Sequence, residues 1–251
     1  MVDLKKKLGR NEYSVGSWIT IGDTAVAEIM ARAGFDWLVV DMEHSAMTLP
    51  EAQELIRTIE LSGVVPLVRV GENDPCLIKR VMDAGAHGVV VPMVNTRFDA
   101  EAAVKAVNYP PKGTRGVGLA RAQGYGFGFE RYKKWLREKS IVIAQVEHIE
   151  SVDNLEEILA VDGIDGSIIG PYDLSGSLGY PGRFDRPEVK KAIKRYEDVC
   201  RKMKKPMGFH VVEPDIKRAK ELKQKGYKFL AVGLDSLYLG RKCLEVTGEL
   251  R

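Results

Sequence analysis

Ionisable and polar side chains follow four apolar runs of this chain, at the point where each run ends. Asp41, Glu43 and His44 stand at the end of the first run, Arg69 at the end of the second, Gln145 and Glu147 at the end of the third, and Asp173 after the fourth. Burying so many charges without mutual compensation would be costly. We therefore expect these side chains to be partners around one site.

Glu147 and Asp173 form the first candidate pair, because both carry hard oxygen ligands at the ends of consecutive apolar runs. Two carboxylates, together with water and a chelating substrate, can hold Mg²⁺ or Mn²⁺ while leaving coordination positions open. The alternative is that each carboxylate merely caps the helix that follows it. The spacing predicts a divalent metal site without excluding this structural role.

Arg69 is the second candidate, because it stands at the end of an apolar run. A guanidinium in an active site can bind a carboxylate or stabilise an enolate oxygen. A structural ion pair with Asp41 or Glu43 is an equally good interpretation of the sequence.

Asp41 and His44 suit a dyad in which the carboxylate orients the imidazole for general acid–base catalysis. The other histidines are weaker candidates: His87 precedes a strand, and His148 should face away from the site. His210 lies near the end of a strand and is a secondary candidate.

The Gly170-Pro171-Tyr172-Asp173 segment is the fourth candidate, because backbone N–H groups at the start of a strand-to-helix turn can bind an anionic carboxylate. Gly-Pro is also common turn chemistry, so the pattern alone has low specificity.

The segments that must position these residues alternate between short apolar runs and amphipathic stretches. Predicted strands are Ser14–Thr20, Trp37–Glu43, Val65–Val70, Gly88–Val94, Ile141–Glu147, Gly166–Gly170, Pro206–Val211 and Phe229–Gly233. Predicted helices are Thr24–Ala33, Glu51–Leu61, Pro75–Ala84, Phe98–Asn108, Ser151–Ala160, Arg186–Lys204, Pro214–Lys225 and Ser236–Val246. Continuous β-branched runs are typical of parallel strands buried on both faces.

Eight such units predict a (β/α)8 barrel, whose strand ends meet at one mouth. A doubly wound sheet would usually carry a glycine-rich nucleotide turn after its first strand, and the Thr20–Asp23 turn lacks one. The stretch from Tyr109 to Lys139 interrupts the alternation. It is rich in glycine and aromatic residues and ends in a helical segment, a composition typical of a functional loop or an oligomer contact.

Length and composition bound the remaining possibilities. With 251 residues, the chain fits one barrel domain over 1–251, although two smaller domains are also possible on length alone. The net charge of +3 and the absence of a separate basic tract argue against a nucleic-acid partner. No apolar run is long enough for a membrane span. Three widely spaced cysteines, with no signal peptide, predict reduced thiols and a cytoplasmic location.

At these residues the chain resembles the HpcH/HpaI aldolase family of class II pyruvate aldolases, from about Asn11 to Gly240. The motifs that carry the resemblance are Gly16-Ser-Trp18, Asp41-Met-Glu-His44, Pro66-Leu-Val-Arg69, Val91-Pro-Met-Val94, Tyr109-Pro-Pro-Lys-Gly-Thr-Arg-Gly116, Gln145-Val-Glu147 and Gly170-Pro-Tyr-Asp-Leu-Ser175. Several such strings in one order are more specific than any single one.

The resemblance implies a TIM barrel of the phosphoenolpyruvate/pyruvate-binding type and an activity: reversible cleavage of a 2-oxo-4-hydroxy acid to pyruvate and an aldehyde. It implies metal ligation by Glu147 and Asp173, with Mg²⁺, Mn²⁺ or Co²⁺ as the ion. It further implies that Arg69 stabilises the enolate and that His44 with Asp41 acts as acid–base. Trp18, Gln145 and the Gly170, Pro171, Tyr172 and Asp173 turn would bind pyruvate. A trimeric or hexameric homo-oligomer is expected, with the C-terminal helix packing on a neighbouring copy.

Departures from the family pattern fall where the aldehyde should bind. Met42, the Ser45-Ala-Met47 segment and the Gln123–Phe129 loop differ from the heptanedioate and glucarate types. Two alternatives stay open: a lyase acting on malyl-CoA or citramalyl-CoA, and a non-catalytic ligand-binding barrel.

Overall fold

The computed structural model describes residues 1–251 and contains a closed barrel of eight parallel strands, in which the first strand also pairs with the last. The strands are β1 (Ser14–Ile19), β2 (Trp37–Asp41), β3 (Val65–Arg69), β4 (Gly88–Val91), β5 (Ile141–Val146), β6 (Gly166–Ile169), β7 (Met207–Val211) and β8 (Phe229–Leu234). The predicted (β/α)8 barrel is confirmed. Predicted β4 was too long, because Pro92 cannot donate a ladder hydrogen bond.

Helices surround the barrel. They are α1 (Leu4–Gly9), α2 (Thr24–Arg32), α3 (Leu49–Leu61), α4 (Pro75–Asp83), α5 (Arg97–Val107), α6 (Phe129–Lys139), α7 (Ile149–Asp153), α8 (Leu155–Leu159), α9 (Pro171–Ser177), α10 (Pro187–Met203), α11 (Ile216–Lys225) and α12 (Asp235–Glu249). The single helix predicted over Ser151–Ala160 is wrong in detail, since the chain is interrupted at Asn154. None of the helices combines the length and apolar character needed to cross a bilayer.

Side-chain caps set several of the helix starts. Asp23 accepts a hydrogen bond from the Ala25 N–H at the start of α2, and Asp74 accepts one from the Leu77 N–H at the start of α4. Thr48 and Glu51 form a capping box at α3. These caps satisfy backbone donors that have no partner inside the helix.

The N-terminal end of the barrel is closed by aromatic rings and by α1. Trp37 stacks on Phe229 with a centroid separation of 4.0 Å, and both rings are fully buried. An added Cβ at Gly16 would lie 2.2 Å from the Trp37 ring, so glycine is required for this ring to fit. Leu4 and Leu8 of α1 join the same buried cluster. This plug leaves the C-terminal mouth as the open end.

The long segment between α5 and α6 is anchored to the barrel by a buried arginine. The guanidinium of Arg115 is 2.6 Å from the Asp83 carboxylate, and its carbon lies 4.8 Å from the Tyr109 ring centroid and 5.5 Å from that of Tyr132. Beyond this anchor, Phe127 is 99% exposed at the tip of the loop. The helix predicted at the end of the segment is confirmed as α6.

Candidate active site

The C-terminal ends of β2 and β3 form a buried ion pair at the mouth. Asp41 and Arg69 are partners in the strand register, so their side chains leave the sheet side by side. Arg69 Nε and Nη2 donate to the two Asp41 carboxylate oxygens at 2.9 and 2.6 Å. Burial alone would raise the pKa of Asp41, but Arg69 and the backbone N–H groups of His44 and Glu43 hold it below its ordinary value. The two hydrogen bonds from Arg69 to Asp41 fix the orientation of the guanidinium plane.

Glu43 is a second carboxylate on the same guanidinium. Its Oε2 lies 3.2 Å from Arg69 Nη1 and 3.5 Å from the Gln145 side-chain nitrogen. Burial raises the pKa of Glu43, and the positive charge of Arg69 only partly offsets that. The sequence offers Asp41 and Glu43 as possible ion-pair partners of Arg69, and both contacts are present.

The predicted contact between Asp41 and the His44 imidazole is absent, which corrects that expectation. Asp41 accepts the His44 backbone N–H at 3.2 Å, while its carboxylate is occupied by Arg69. The strand ends at Asp41, and the following turn carries the His44 side chain outward, where it is 66% exposed. The carboxylate nearest to the ring belongs to Glu43, at 3.9 Å from His44 Nε2.

Glu147 follows β5 and is only 4% exposed. Its Oε1 accepts the Met93 backbone N–H at 2.7 Å, and its Oε2 accepts a hydrogen bond from Gln145. Met93 adopts φ of 51°, an uncommon backbone conformation for a residue with a Cβ. Burial raises the pKa of Glu147, and the neighbouring carboxylates of Glu43 and Asp173 raise it further.

Glu147 and Asp173 approach the same point above Gly170, at the end of β6. A Cβ built on Gly170 would lie 3.4 Å from Glu147 Oε2 and 4.0 Å from Asp173 Oδ2. No three histidine, cysteine or acidic side chains form a complete metal cage anywhere in the chain. Two converging carboxylates fit an open divalent-cation site, because the remaining positions are left for water and substrate.

A cavity of about 350 Å³ occupies the mouth beside these groups. Predicted site residues that line it are Trp18, Asp41, His44, Arg69, Gln145, Gly170, Pro171, Tyr172 and Asp173. Glu147 does not itself line the cavity, but it accepts a hydrogen bond from Gln145, which does. All of the predicted positions are therefore gathered at one end of the barrel, although their catalytic and binding roles stay predictions.

Comparison with known proteins identifies the family of this chain. The model of the HpcH/HpaI aldolase/citrate lyase family matches residues 14–240. The chain belongs to this family. A 2-keto-3-deoxy-L-rhamnonate aldolase from Escherichia coli K12 is 38% identical over 234 residues, covering 93% of this chain and 87% of the relative.

Two solved structures have the same architecture. A family protein from Burkholderia cenocepacia superposes with a TM-score of 0.92 at 33% identity, with full coverage of both chains. An HpcH/HpaI aldolase from Desulfitobacterium hafniense gives a TM-score of 0.89 at 28% identity, covering 98% of this chain and 96% of that one. The resemblance predicted from the motifs is confirmed, and this HpcH/HpaI member is a carbon–carbon lyase of the aldolase type.

Two of the other three histidines, His87 and His148, lie away from the cavity, as the sequence predicts. His87 bonds to Glu60 at 3.3 Å at the opposite end of the barrel. His148 caps α7 by accepting the Glu150 N–H. His210 lines the cavity and stacks on Trp18, with ring centroids 4.6 Å apart.

Two site features were not predicted from the sequence. The first is the hydrogen bond from the Met93 N–H to Glu147, which depends on a turn whose geometry no spacing rule gives. The second is the Trp18 indole N–H, which is buried and has no partner in the chain. Trp18 also lies beneath Arg69, whose guanidinium carbon is 5.5 Å from the ring centroid.

Proposed function

We propose that the protein is a divalent-metal-dependent aldolase that cleaves a 2-oxo-4-hydroxy acid to pyruvate and an aldehyde, and catalyses the reverse addition. The observation that carries the proposal is the convergence of Glu147 and Asp173 above Gly170, beside the fixed Arg69 guanidinium. The relative named for a 2-keto-3-deoxy acid supports the same substrate class.

Glu147 and Asp173 would hold the ion, for which we propose Mg²⁺ or Mn²⁺, with Co²⁺ as a further possibility. A bound cation of this kind supplies polarisation of the carboxylate and keto oxygens of the substrate. The buried Glu147 carboxylate lies close to the negative charges of Glu43 and Asp173, as its raised pKa reflects. A cation at this point would compensate that repulsion.

Arg69 would stabilise the negative charge that develops on the keto oxygen as the enolate forms. Its guanidinium is held by the Asp41 carboxylate and by Glu43, so it needs no rearrangement during the reaction. Gln145 and the turn from Gly170 to Asp173 would bind the pyruvate part. Trp18 would form the apolar wall beside it.

His44 would move the proton of the C4 hydroxyl, directly or through a water molecule. Removal of that proton allows the C3–C4 bond to break, releasing the aldehyde, and the enolate carbon then takes up a proton to give pyruvate. Glu43, rather than Asp41, is the carboxylate available to orient the His44 ring.

The test is pyruvate release from a panel of 2-oxo-4-hydroxy acids, measured with EDTA and with added Mg²⁺, Mn²⁺ or Co²⁺. We expect activity only with a cation, and we expect Glu147→Gln to lower kcat by roughly 100-fold or more. Glu157→Gln, on an exposed position of α8, is the matched control and should behave as wild type. Undiminished turnover in EDTA would refute metal dependence.

We further propose that the working form is a homo-oligomer, a trimer or a hexamer, located in the cytoplasm. Exposed apolar residues on α12 support the homo-oligomer, and the widely spaced free cysteines support the cytoplasmic location.

A further inference from the structure

The segment from Tyr109 to Lys139 encloses a second cavity, which the proposed reaction does not use. This cavity has a volume of about 350 Å³, equal to that of the cavity at the mouth, and the two share no lining residue. The short 3₁₀ turn Arg121–Gln123 and helix α6 form it together with residues at the end of α3 and after α4. His87, which directly precedes β4, lines it and places it at the N-terminal end of the barrel.

A hydrogen-bonded network fixes part of the lining of this second cavity. Arg121 Nη1 donates to the Ala84 carbonyl oxygen at 3.1 Å, and Nη2 pairs with the Glu60 carboxylate. The other Glu60 oxygen is 3.3 Å from His87 Nε2. Burial alone would raise the pKa of Glu60, but His87 and Arg121 hold it below its ordinary value. Glu60 is therefore ionised near pH 7, and its charge is already compensated within the chain.

Gly85 provides the space for the Arg121 guanidinium. It has φ of 105°, a left-handed conformation that favours glycine, and an added Cβ would lie 2.1 Å from Arg121 Nη1. The turn after α4 thus admits the Arg121 side chain because position 85 has no side chain of its own. With only 12% of its side chain exposed, Arg121 is a fixed part of the cavity lining.

Arg131 is the second guanidinium of the cavity, and no carboxylate of the chain forms an ion pair with it. Its Nη2 lies 3.4 Å from the position that a Cβ on Gly128 would occupy, so its charged end borders the cavity. Glu60 is the one carboxylate in the lining, against two guanidinium groups. The cavity therefore carries an excess of positive charge and should attract an anion.

Two aromatic rings form a further part of the lining. Tyr132 and Trp135 are stacked, with ring centroids 5.5 Å apart and an interplanar angle of 17°. The Trp135 ring also meets the His87 ring at a centroid distance of 4.8 Å, which holds it beside the Glu60 network. A flat apolar group can pack favourably against such rings.

We propose that this second cavity is a binding site for a small aromatic carboxylate, whose carboxylate group pairs with Arg131 and whose ring packs beside Trp135. A guanidinium presents two parallel N–H donors that match the two oxygens of a carboxylate. Arg121 adds positive charge from the lining, while Glu60 is occupied by Arg121 and His87. The site is separate from the mouth, so this inference stands independently of the proposed function.

The test is a titration followed by ¹⁹F NMR, with 4-fluorobenzoate as the ligand and 4-fluorobenzyl alcohol as its uncharged analogue. We expect saturable binding of one 4-fluorobenzoate per chain, with a dissociation constant of roughly 1 mM or less. The alcohol should bind at least about tenfold more weakly, because it cannot form the charged pair. An excess of pyruvate with Mg²⁺, directed at the mouth, should leave the binding of 4-fluorobenzoate unchanged.

Substitutions in α6 locate the binding site. Arg131→Gln removes the unpaired guanidinium at an exposed position, so the fold should be kept, and we expect about tenfold weaker binding of 4-fluorobenzoate. Arg131→Lys keeps the charge without the paired donors and should restore part of the affinity. Trp135→Leu should weaken the binding of both compounds, since both rings lose the same packing surface. Arg137→Gln is the matched control, because Arg137 is exposed on the same helix and does not line the cavity. It should bind 4-fluorobenzoate as wild type does.

Four results would each overturn the proposal. The first is the lack of saturable 4-fluorobenzoate binding at ten times the expected dissociation constant. The second is equal affinity for the acid and the alcohol, which would mean that no charged pair forms. The third is equal affinity of wild type and Arg131→Gln, and the fourth is displacement of 4-fluorobenzoate by pyruvate. Either of these last two would place the binding elsewhere in the molecule.

Discussion

At the scale of single residues, the defining contact of the mouth is the pair between Asp41 and Arg69. The Asp41 side chain is 1% exposed and that of Arg69 is 13% exposed, so solvent screens the pair weakly. Removing one partner leaves the other buried without full compensation. The pair is thus both a structural element and the means by which the guanidinium is held in place.

Asp41→Asn tests this double role. We expect it to lower the unfolding free energy by about 3 kcal/mol and to reduce kcat for pyruvate release by at least about tenfold. Urea unfolding and steady-state assays measure the two effects. Glu28→Gln, which breaks the exposed pair with Arg32, is the control and should cost under about 1 kcal/mol. Equal effects of the two substitutions would contradict the argument.

The lowered pKa of His210 predicts a pH dependence of stability. The unfolded ring titrates near its ordinary value of 6.5, and the folded ring titrates at about 4. As pH falls from 6.5 towards 4, the ring takes up a proton in the unfolded state but not yet in the folded state. This uptake stabilises the unfolded state, so the free energy of unfolding decreases over this range. Burial is the largest cause of the lowered pKa; the hydrogen bond to the Gly233 carbonyl raises it, the charge of Arg69 lowers it and the charge of Asp41 raises it.

Comparison with His210→Phe isolates this contribution. Between pH 7 and pH 4.5, wild type should lose on the order of 2 kcal/mol more unfolding free energy than the variant. Urea denaturation at several pH values measures the difference, and other titrating groups cancel because both proteins share them. A stability gap between the two proteins that is constant with pH would count against a neutral buried ring.

At the scale of elements, the sequence predicts strands better than sites. The eight apolar runs locate every barrel strand, because parallel strands buried on both faces require continuous apolar sequence. The short helices α1 and α9 are missed, since six or seven residues give too little periodicity to detect. The sequence leaves open whether Asp41 pairs with Arg69 or orients the His44 ring, and the strand register and the turn after β2 decide in favour of Arg69.

Close strand approach predicts the effect of a glycine substitution in β4. A Cβ on Gly88 would lie 2.3 Å from the Ile141 carbonyl oxygen of β5, so Gly88→Ala must push the two strands apart. We expect a loss of about 2 to 4 kcal/mol in unfolding free energy, measured by urea denaturation. Gly240→Ala in α12, where no atom lies within 4 Å, should be neutral or slightly stabilising. Similar losses in both variants would exclude steric contact as the cause.

At the scale of the whole molecule, the two ends of the barrel have different tasks. The N-terminal end is filled by Trp37, Phe229 and α1, and the C-terminal end carries the carboxylates, Arg69 and the cavity. This division is typical of the fold. It means that substitutions at the mouth can alter chemistry while the packed end still maintains the barrel.

The helix α12 extends this argument to assembly, because its apolar side chains face outward. Its only buried residue is Asp235, whereas Leu239, Leu244 and Val246 are 63%, 65% and 47% exposed. Apolar side chains clustered in this way mark an interaction surface. We expect light scattering to give a mass that is a multiple of 27.9 kDa, a trimer or a hexamer. Leu244→Glu should shift it towards the monomer, since a charge buried in an apolar contact is costly. Ala102→Glu, at an exposed position of α5 on the opposite side of the barrel, should leave the mass unchanged, and a monomeric wild type would refute the prediction.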